Sequence, residues 1–194
     1  MAREDADDPN LGVDLSRPDL RGFQTGRTRL VQALWMLVEA LLFINPLVTS
    51  YPLKARVLRL FGAQVGDGVV IKPGVHIKYP WRLSVGDNAW IGERVWIDDL
   101  VDVRIGANAC VSQGAYLCTG NHDWSDRRMG LVAEPIVVGD EAWVGAFAKI
   151  GPGVTVGRLS VVTIGSVLVK DALPGGIYSG NPATRAGERT LRES

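Results

Sequence analysis

The chain has 194 residues, enough for one domain with a lead-in, and its 21 basic residues balance its 21 acidic ones. Such a balance projects no large field of either sign, so nucleic-acid binding has no electrostatic support. Cys110 and Cys118 lie eight apart with no metal-ligand spacing, and no secretory signal precedes them, so reduced thiols in a cytoplasmic protein are expected.

Residues 1–61 read as a lead and a cap. The first stretch is polar, acidic at Glu4, Asp5, Asp7 and Asp8, then basic at Arg17, Arg21, Arg27 and Arg29, which predicts an extended or partly disordered segment. From Thr28 to Ile44 the spacing is helical. Leu30, Leu34, Leu37, Leu41 and Ile44 share one face, while Val31, Trp35, Val38 and Leu42 occupy others. A helix apolar on several faces wants burial nearly all round. It is too short and too interrupted to span a bilayer, which takes about 20 apolar residues, and Asn45-Pro46 closes it. Two placements stay open: packing on the fold or between subunits, or contact with a membrane surface helped by Arg27, Arg29, Lys54, Arg56 and Arg59. A second short helix over residues 53–61 is expected to cap the domain that begins at residue 62.

Residues 62–173 carry the strongest signal. An aliphatic residue recurs every six positions in five triplets: Val65, Ile71, Ile77; Val85, Ile91, Ile97; Ile105, Val111, Leu117; Val138, Val144, Ile150; Val156, Val162, Leu168. Glycine often follows it, and four residues after it stands something small or β-branched, with Trp81 and Asn121 as exceptions. Six residues suit a short strand and a turn, and neither a helix pair nor simple alternation. Sandwich strands would set their turn signals wider, at about 8–12 residues. The pattern predicts an all-β solenoid, a parallel β-helix of about five triangular coils whose aliphatic residues stack inward. One unit cannot bury its own apolar side chain, so stability comes from neighbouring coils. Glycine is expected to supply positive φ and close backbone approach. Pro174, Gly175 and Gly176 break the repeat, leaving residues 174–194 as a tail with a strand-like stretch near Ile177.

One interruption is large. The step from Leu117 to Val138 holds fifteen extra residues, a protruding loop over residues 123–137. A long loop in a regular solenoid is usually functional. The chain has only His76 and His122, and His122 stands at the root of this loop. An imidazole titrating near neutral pH beside a protruding loop suits proton abstraction. His76, with no insertion near it, reads as structural. Asp98 and Asp99, one coil below, are candidate ligands for substrate hydroxyls; Asn121 and Trp124 flank His122, and Trp90, Trp96 and Trp124 offer flat apolar faces to a substrate ring.

The stretches IGANACVSQGAYLCTGNHDWSD and IVVGDEAWVGAFAKIGPGVTVGRLSVVTIGSVLVKDALPGG, followed by SGNPAT, resemble the hexapeptide-repeat acyltransferases over about residues 62–186. The likeness is closest to polysaccharide O-acetyltransferases of the colanic-acid type, which share an apolar amino-terminal helix and a YPWRLSVGDNAWIG-like coil; maltose and galactoside acetyltransferases are more distant. It implies a left-handed coil and a homotrimer with active sites between subunits. It implies acetyl-CoA as cosubstrate, a saccharide acceptor such as an exopolysaccharide or lipid-linked precursor, and no metal. It also implies His122 as general base, the hydroxyl that it deprotonates attacking the thioester directly, without an acyl-enzyme. The His122 ring then needs an orienting acceptor, for which a backbone carbonyl or a carboxylate such as Asp14 qualifies at least as well as adjacent Asp123. Trp143, Gly145 and Ala146 match the coenzyme side, with the Ala146 N–H at the developing oxyanion; Ile164 lines the pantetheine path, and Lys170 and Arg185 are candidates for the phosphates. Ile164 stands where the family often has a small residue. Two other functions compete: a non-catalytic trimeric scaffold, and a hydrase of the γ-carbonic-anhydrase kind, whose three histidines per metal two histidine positions do not readily supply.

Overall fold

In a computed structural model, which describes residues 12–192, the chain is a cap of two helices on a three-faced parallel solenoid. The acidic start at Glu4, Asp5, Asp7 and Asp8 lies outside the described residues.

The faces are sheets of very short strands. Gln64–Val65, Leu83–Val85, Val103–Ile105, Ile136–Val138 and Thr155–Val156 form the first face. The second holds Val70–Ile71, Trp90–Ile91, Cys110–Val111, Trp143–Val144 and Val161–Val162. The third holds His76–Ile77, Trp96–Asp98, Tyr116–Cys118, Lys149–Ile150 and Val167–Leu168. Every pair within a face is parallel, with the repeat residues in register, as in Ile71↔Ile91 and Ile97↔Leu117. Five full coils result, and Gly176–Gly180 extends the second face into a sixth before folding back on Ala183–Glu188.

Of the fifteen aliphatic residues, all but half-buried Val65 are in the core. Each such side chain gains about 1.5–3 kcal/mol on full burial, which is how strands of two residues stay ordered. The two glycine roles expected from the sequence fall on different positions. Glycine directly after the aliphatic residue is there for space: a Cβ on Gly106 would stand 2.5 Å from the Asp140 backbone nitrogen. Positive φ occurs two residues later, on Gly68, Gly74, Gly114, Gly153 and Gly165 but also on Asn88, Arg94, Asn108, Glu141, Phe147 and Leu159.

A parallel solenoid has an open first edge, and unpaired edge groups invite aggregation. The cap closes it with side chains. Helix α1 (Arg29–Val38), N-capped by Thr28, continues as a π-helical turn, Glu39–Ile44. Helix α2 (Tyr51–Leu60) starts two residues earlier than its spacing predicts, because Pro52 sits favourably in its first turn. On the first face, Arg59 donates to the Val65 and Gly66 carbonyls at 2.8 and 2.7 Å. On the second, buried Lys54 donates to the Ile71 and Lys72 carbonyls at 3.3 and 3.2 Å. On the third, the Trp35 indole donates to the Ile77 carbonyl and Glu39 accepts from the Ile77 amide, both at 2.7 Å. Lys54 is therefore taken up by the fold, which corrects its reading as a surface charge for a membrane, while Arg59 caps the first face and stays exposed.

Helix α1 uses both of its apolar sides differently. Trp35, Val38 and Leu42 pack on the core, while Leu30, Leu34, Leu37 and Leu41 face outward, Leu30 at 80% exposure. No helix among the described residues is long and apolar enough to cross a membrane.

Candidate active site

Irregularity collects at one corner of the triangle, between the third and first faces. The eight-residue steps put Lys78 to Arg82 in one coil and Asp98 to Asp102 in the next, and the fifteen-residue insertion stacks above them. That insertion is a β-hairpin. Gly120–His122 pairs antiparallel with Leu131–Ala133, and Ile136 is already back in the first face opposite Val103. Thr119 fastens its base, donating through Oγ1 to the Asp98 carbonyl at 2.7 Å and accepting the Glu134 amide on its own carbonyl at 2.9 Å.

His122 ends the outgoing strand, exposed. Its Nδ1 lies 2.7 Å from the Met129 carbonyl across the hairpin tip. A carbonyl only accepts, so Nδ1 carries the proton and Nε2 presents its lone pair. The orienting acceptor is thus a backbone carbonyl and neither carboxylate. Asp14 is bound to Ser16. Asp123 holds Ser125 and Arg21, and the Ser125 hydroxyl, then Arg21, keeps its carboxyl below the ordinary value. Met129 gave no sequence signal, because any residue type supplies a carbonyl. Asn121 accepts the His122 amide at 2.8 Å, and Trp124 stands 84% exposed at the tip.

The adjacent carboxylates diverge. Asp98 reaches the surface edge, with Lys78 at 2.9 Å and the Tyr116 hydroxyl at 3.2 Å. Burial, the Cys118 thiol and Asp98 all push the Tyr116 phenol up, so it remains a donor. Asp99 is buried, and this corrects its reading as a sugar ligand. One oxygen accepts the Tyr79 amide at 2.8 Å, the other has no partner among the described residues, and burial raises the carboxyl's pKa well above the ordinary value. Trp96 lies tilted between His76 and Tyr116, with centroids at 6.2 and 5.0 Å, in an aromatic ladder on the third face; Trp90 is exposed on the second.

Trp143, Gly145, Ala146 and Ile164, four of the coenzyme-side candidates, occupy a different corner, between the second and third faces. Trp143 donates to Ser112 Oγ at 2.8 Å. Gly145 has no room for a side chain, with the Val162 carbonyl 2.7 Å from its Cβ position. The Ala146 carbonyl accepts from Gly165, while its N–H finds no acceptor among the described residues. Ile164 stands out from the same corner one coil on, 73% exposed. Phe147, missed in the sequence, lies over Gly114 from a left-handed backbone; a large aromatic where other coils place glycine was the available signal. Lys170 is exposed at the hairpin's corner two coils on, and Arg185 pairs with Glu188 at 2.8 Å on the terminal hairpin. One chain therefore brings His122 together with Asn121 and Trp124, above Asp98, and sets Trp143, Gly145, Ala146 and Ile164 across the third face from them. Among the described residues no three of His, Cys, Asp and Glu cluster as metal ligands.

No family model matches the chain. Individual proteins do. It is 40% identical over 173 residues to WcaF of Escherichia coli strain K12, named for an acetyltransferase of colanic acid biosynthesis, covering 89% of this chain and 94% of that protein. Among solved structures, a maltose O-acetyltransferase from Clostridium difficile 630 superimposes with a TM-score of 0.70 at 26% identity, over 84% of this chain and 90% of that one. A hexapeptide-repeat acetyltransferase from Vibrio cholerae O1 biovar eltor, solved with acetyl coenzyme A, gives 0.71 at 25% identity, over 84% and 86%.

Proposed function

The chain belongs to the hexapeptide-repeat acetyltransferases, and from that premise we propose that it moves an acetyl group from acetyl-CoA to a saccharide hydroxyl with His122 as general base. The acceptor is a hydroxyl of an exopolysaccharide unit or of its lipid-linked precursor, in keeping with the biosynthetic role in WcaF's name. The observation that carries the reading is the His122–Met129 bond, which fixes the tautomer and leaves Nε2 free.

Nε2 takes the proton of the sugar hydroxyl as its oxygen attacks the thioester carbonyl. The imidazolium so formed keeps its Nδ1 bond to Met129, then returns the proton to the departing coenzyme sulfur. The oxyanion receives the free N–H of Ala146, and one such donor is worth roughly 3 kcal/mol in the transition state. Trp143, Gly145 and Ile164 flank the pantetheine arm, and Lys170 and Arg185 face the phosphates. Asp98, Asn121 and Trp124 line the acceptor side.

Because His122 and the residues Trp143, Gly145, Ala146 and Ile164 occupy different corners of one chain, the site is completed by a second copy, and the assembly is a cyclic homotrimer. Complementation tests this. His122→Ala chains and Ile164→Trp chains are each expected to be nearly inactive; refolded together they regain thiol release from acetyl-CoA. Two variants that stay inactive when mixed, with trimers intact, sink the shared site.

We also propose that the outward leucines of α1, with Arg27 and Arg29 at their amino-terminal end, touch an anionic membrane surface. Vesicles containing phosphatidylglycerol are expected to pellet the protein at low salt and release it at high salt. Equal pelleting of a Leu34→Glu/Leu37→Glu variant overturns the idea, and so does loss of the trimer in that variant, which gives the face to a neighbouring copy instead.

A further inference from the structure

We infer that Arg21 is a positioning residue for the reaction, holding the hairpin tip so that the Met129 carbonyl stays on His122; the inference rests on His122 being the base.

The sequence offers residues 12–28 as a plain polar lead. In the fold they are a strap along the catalytic hairpin. The Asp14 amide donates to the Arg127 carbonyl at 2.8 Å, the Leu131 amide donates to the Asp19 carbonyl at 2.8 Å, and Arg127 Nε donates to the Gly12 carbonyl at 2.9 Å. Arg128 meets Asp19 at 3.3 Å. The strap is anchored at its far end on the first coil. The Trp81 indole donates to the Thr25 carbonyl at 2.7 Å, and Arg82 donates to the Gln24 carbonyl while lying over the Phe23 ring. The hairpin tip is therefore tied to the solenoid by a second route besides its own two strands.

Arg21 is where the strap meets the two carboxylates of the tip. Its Nη2 lies 3.0 Å from Asp123 and 3.5 Å from Asp126. Its guanidinium crosses Gly130, where a Cβ would stand 2.3 Å from Nε. Gly130 directly follows Met129, which is itself in the left-handed region at φ 45°. Arg21 is left-handed too, at φ 46°, held there by Asp19 accepting its amide at 2.9 Å. Two non-glycine residues in this region, one in the strap and one next to the glycine its guanidinium covers, mark a conformation imposed by the surroundings. Remove the guanidinium and Asp123 loses its charged partner, Asp126 keeps only Arg128, and Gly130 loses its lid, leaving the Met129 carbonyl held at His122 Nδ1 by backbone bonds alone, from the Met129 amide to the Asp126 carbonyl at 2.8 Å and from the Asp123 amide to the Gly130 carbonyl at 2.9 Å. The ion pairs are half exposed, so their share in overall stability is small; the effect falls on orientation.

The test uses the full-length chain. Arg21→Gln is expected to lower kcat on the order of tenfold to a hundredfold, a part of what a general base contributes. KM for acetyl-CoA and the melting temperature should hardly move, and Arg21→Lys should recover part of the rate. Independently of turnover, the His122 Nδ1 proton should give a slowly exchanging NMR signal in the parent and a broadened or absent one in Arg21→Gln. Asp123→Asn/Asp126→Asn, which removes the same clamp from its other side, should reproduce both effects. An unchanged kcat together with an unchanged Nδ1 signal overturns the inference. A lost Nδ1 signal in an enzyme whose rate does not depend on His122 would keep the clamp and remove the base, so the two failures read differently.

Discussion

Replacing His122 by Ala is expected to lower acetyl transfer about a thousandfold, the middle of the range that positioned proton transfer supplies. The readout is free thiol released from acetyl-CoA in the presence of an acceptor sugar. Folding should not suffer, because the ring is exposed and its one bond among the described residues is to the hairpin's own Met129 carbonyl. His122→Asn sharpens the result. Its amide can still donate toward Met129 but cannot take a proton, so it should be as inactive as Ala while keeping the hairpin ordered. A scaffold with no catalytic role predicts no rate to lose, and unchanged turnover in either variant removes the mechanism.

Asp99→Asn should stabilise the protein at neutral and alkaline pH. In the unfolded chain this carboxyl ionises near pH 3.9. In the fold, burial raises its pKa well above that, with only the Tyr79 and Asp99 amides and Arg82 pulling it back. Below both values the two states hold the same proton and the group is neutral in stability. As pH rises past the unfolded value, the unfolded chain releases the proton and the fold retains it. Stability then falls by up to about 1.4 kcal/mol per pH unit until the native group itself ionises. The asparagine lacks this penalty. Glu39, also raised by burial, acts in the same direction and leaves a residual slope in the variant. Urea midpoints from pH 4 to 8 measure the difference. Parallel curves for parent and variant would mean that Asp99 is ionised and accommodated in the native state.

The two experiments meet at one corner, and that corner shows where reading by residue type stops. Both carboxylates, Asp98 and Asp99, looked alike in sequence. Successive residues turn to opposite sides of the chain, so one reached Lys78 and Tyr116 while the other went inside. Lys54 looked like a surface charge because nothing in its neighbourhood in sequence shows that the first coil has rows of unpaired carbonyls to satisfy.

The six-residue recurrence by itself determined the solenoid, its three faces and its inward residues, because burial in a stacked coil repeats with the chain and is written locally at each rung. The single histidine beside the single long insertion was legible for the same reason: position along the repeat is position in space. The tertiary structure alone decided what holds that histidine. Its partner is a main-chain oxygen, which any side chain could accompany, and the strap bracing that oxygen crosses from Arg21 to Asp123 over 102 residues of sequence. Contacts that distant, made partly through backbone, leave no pattern for residue types to carry.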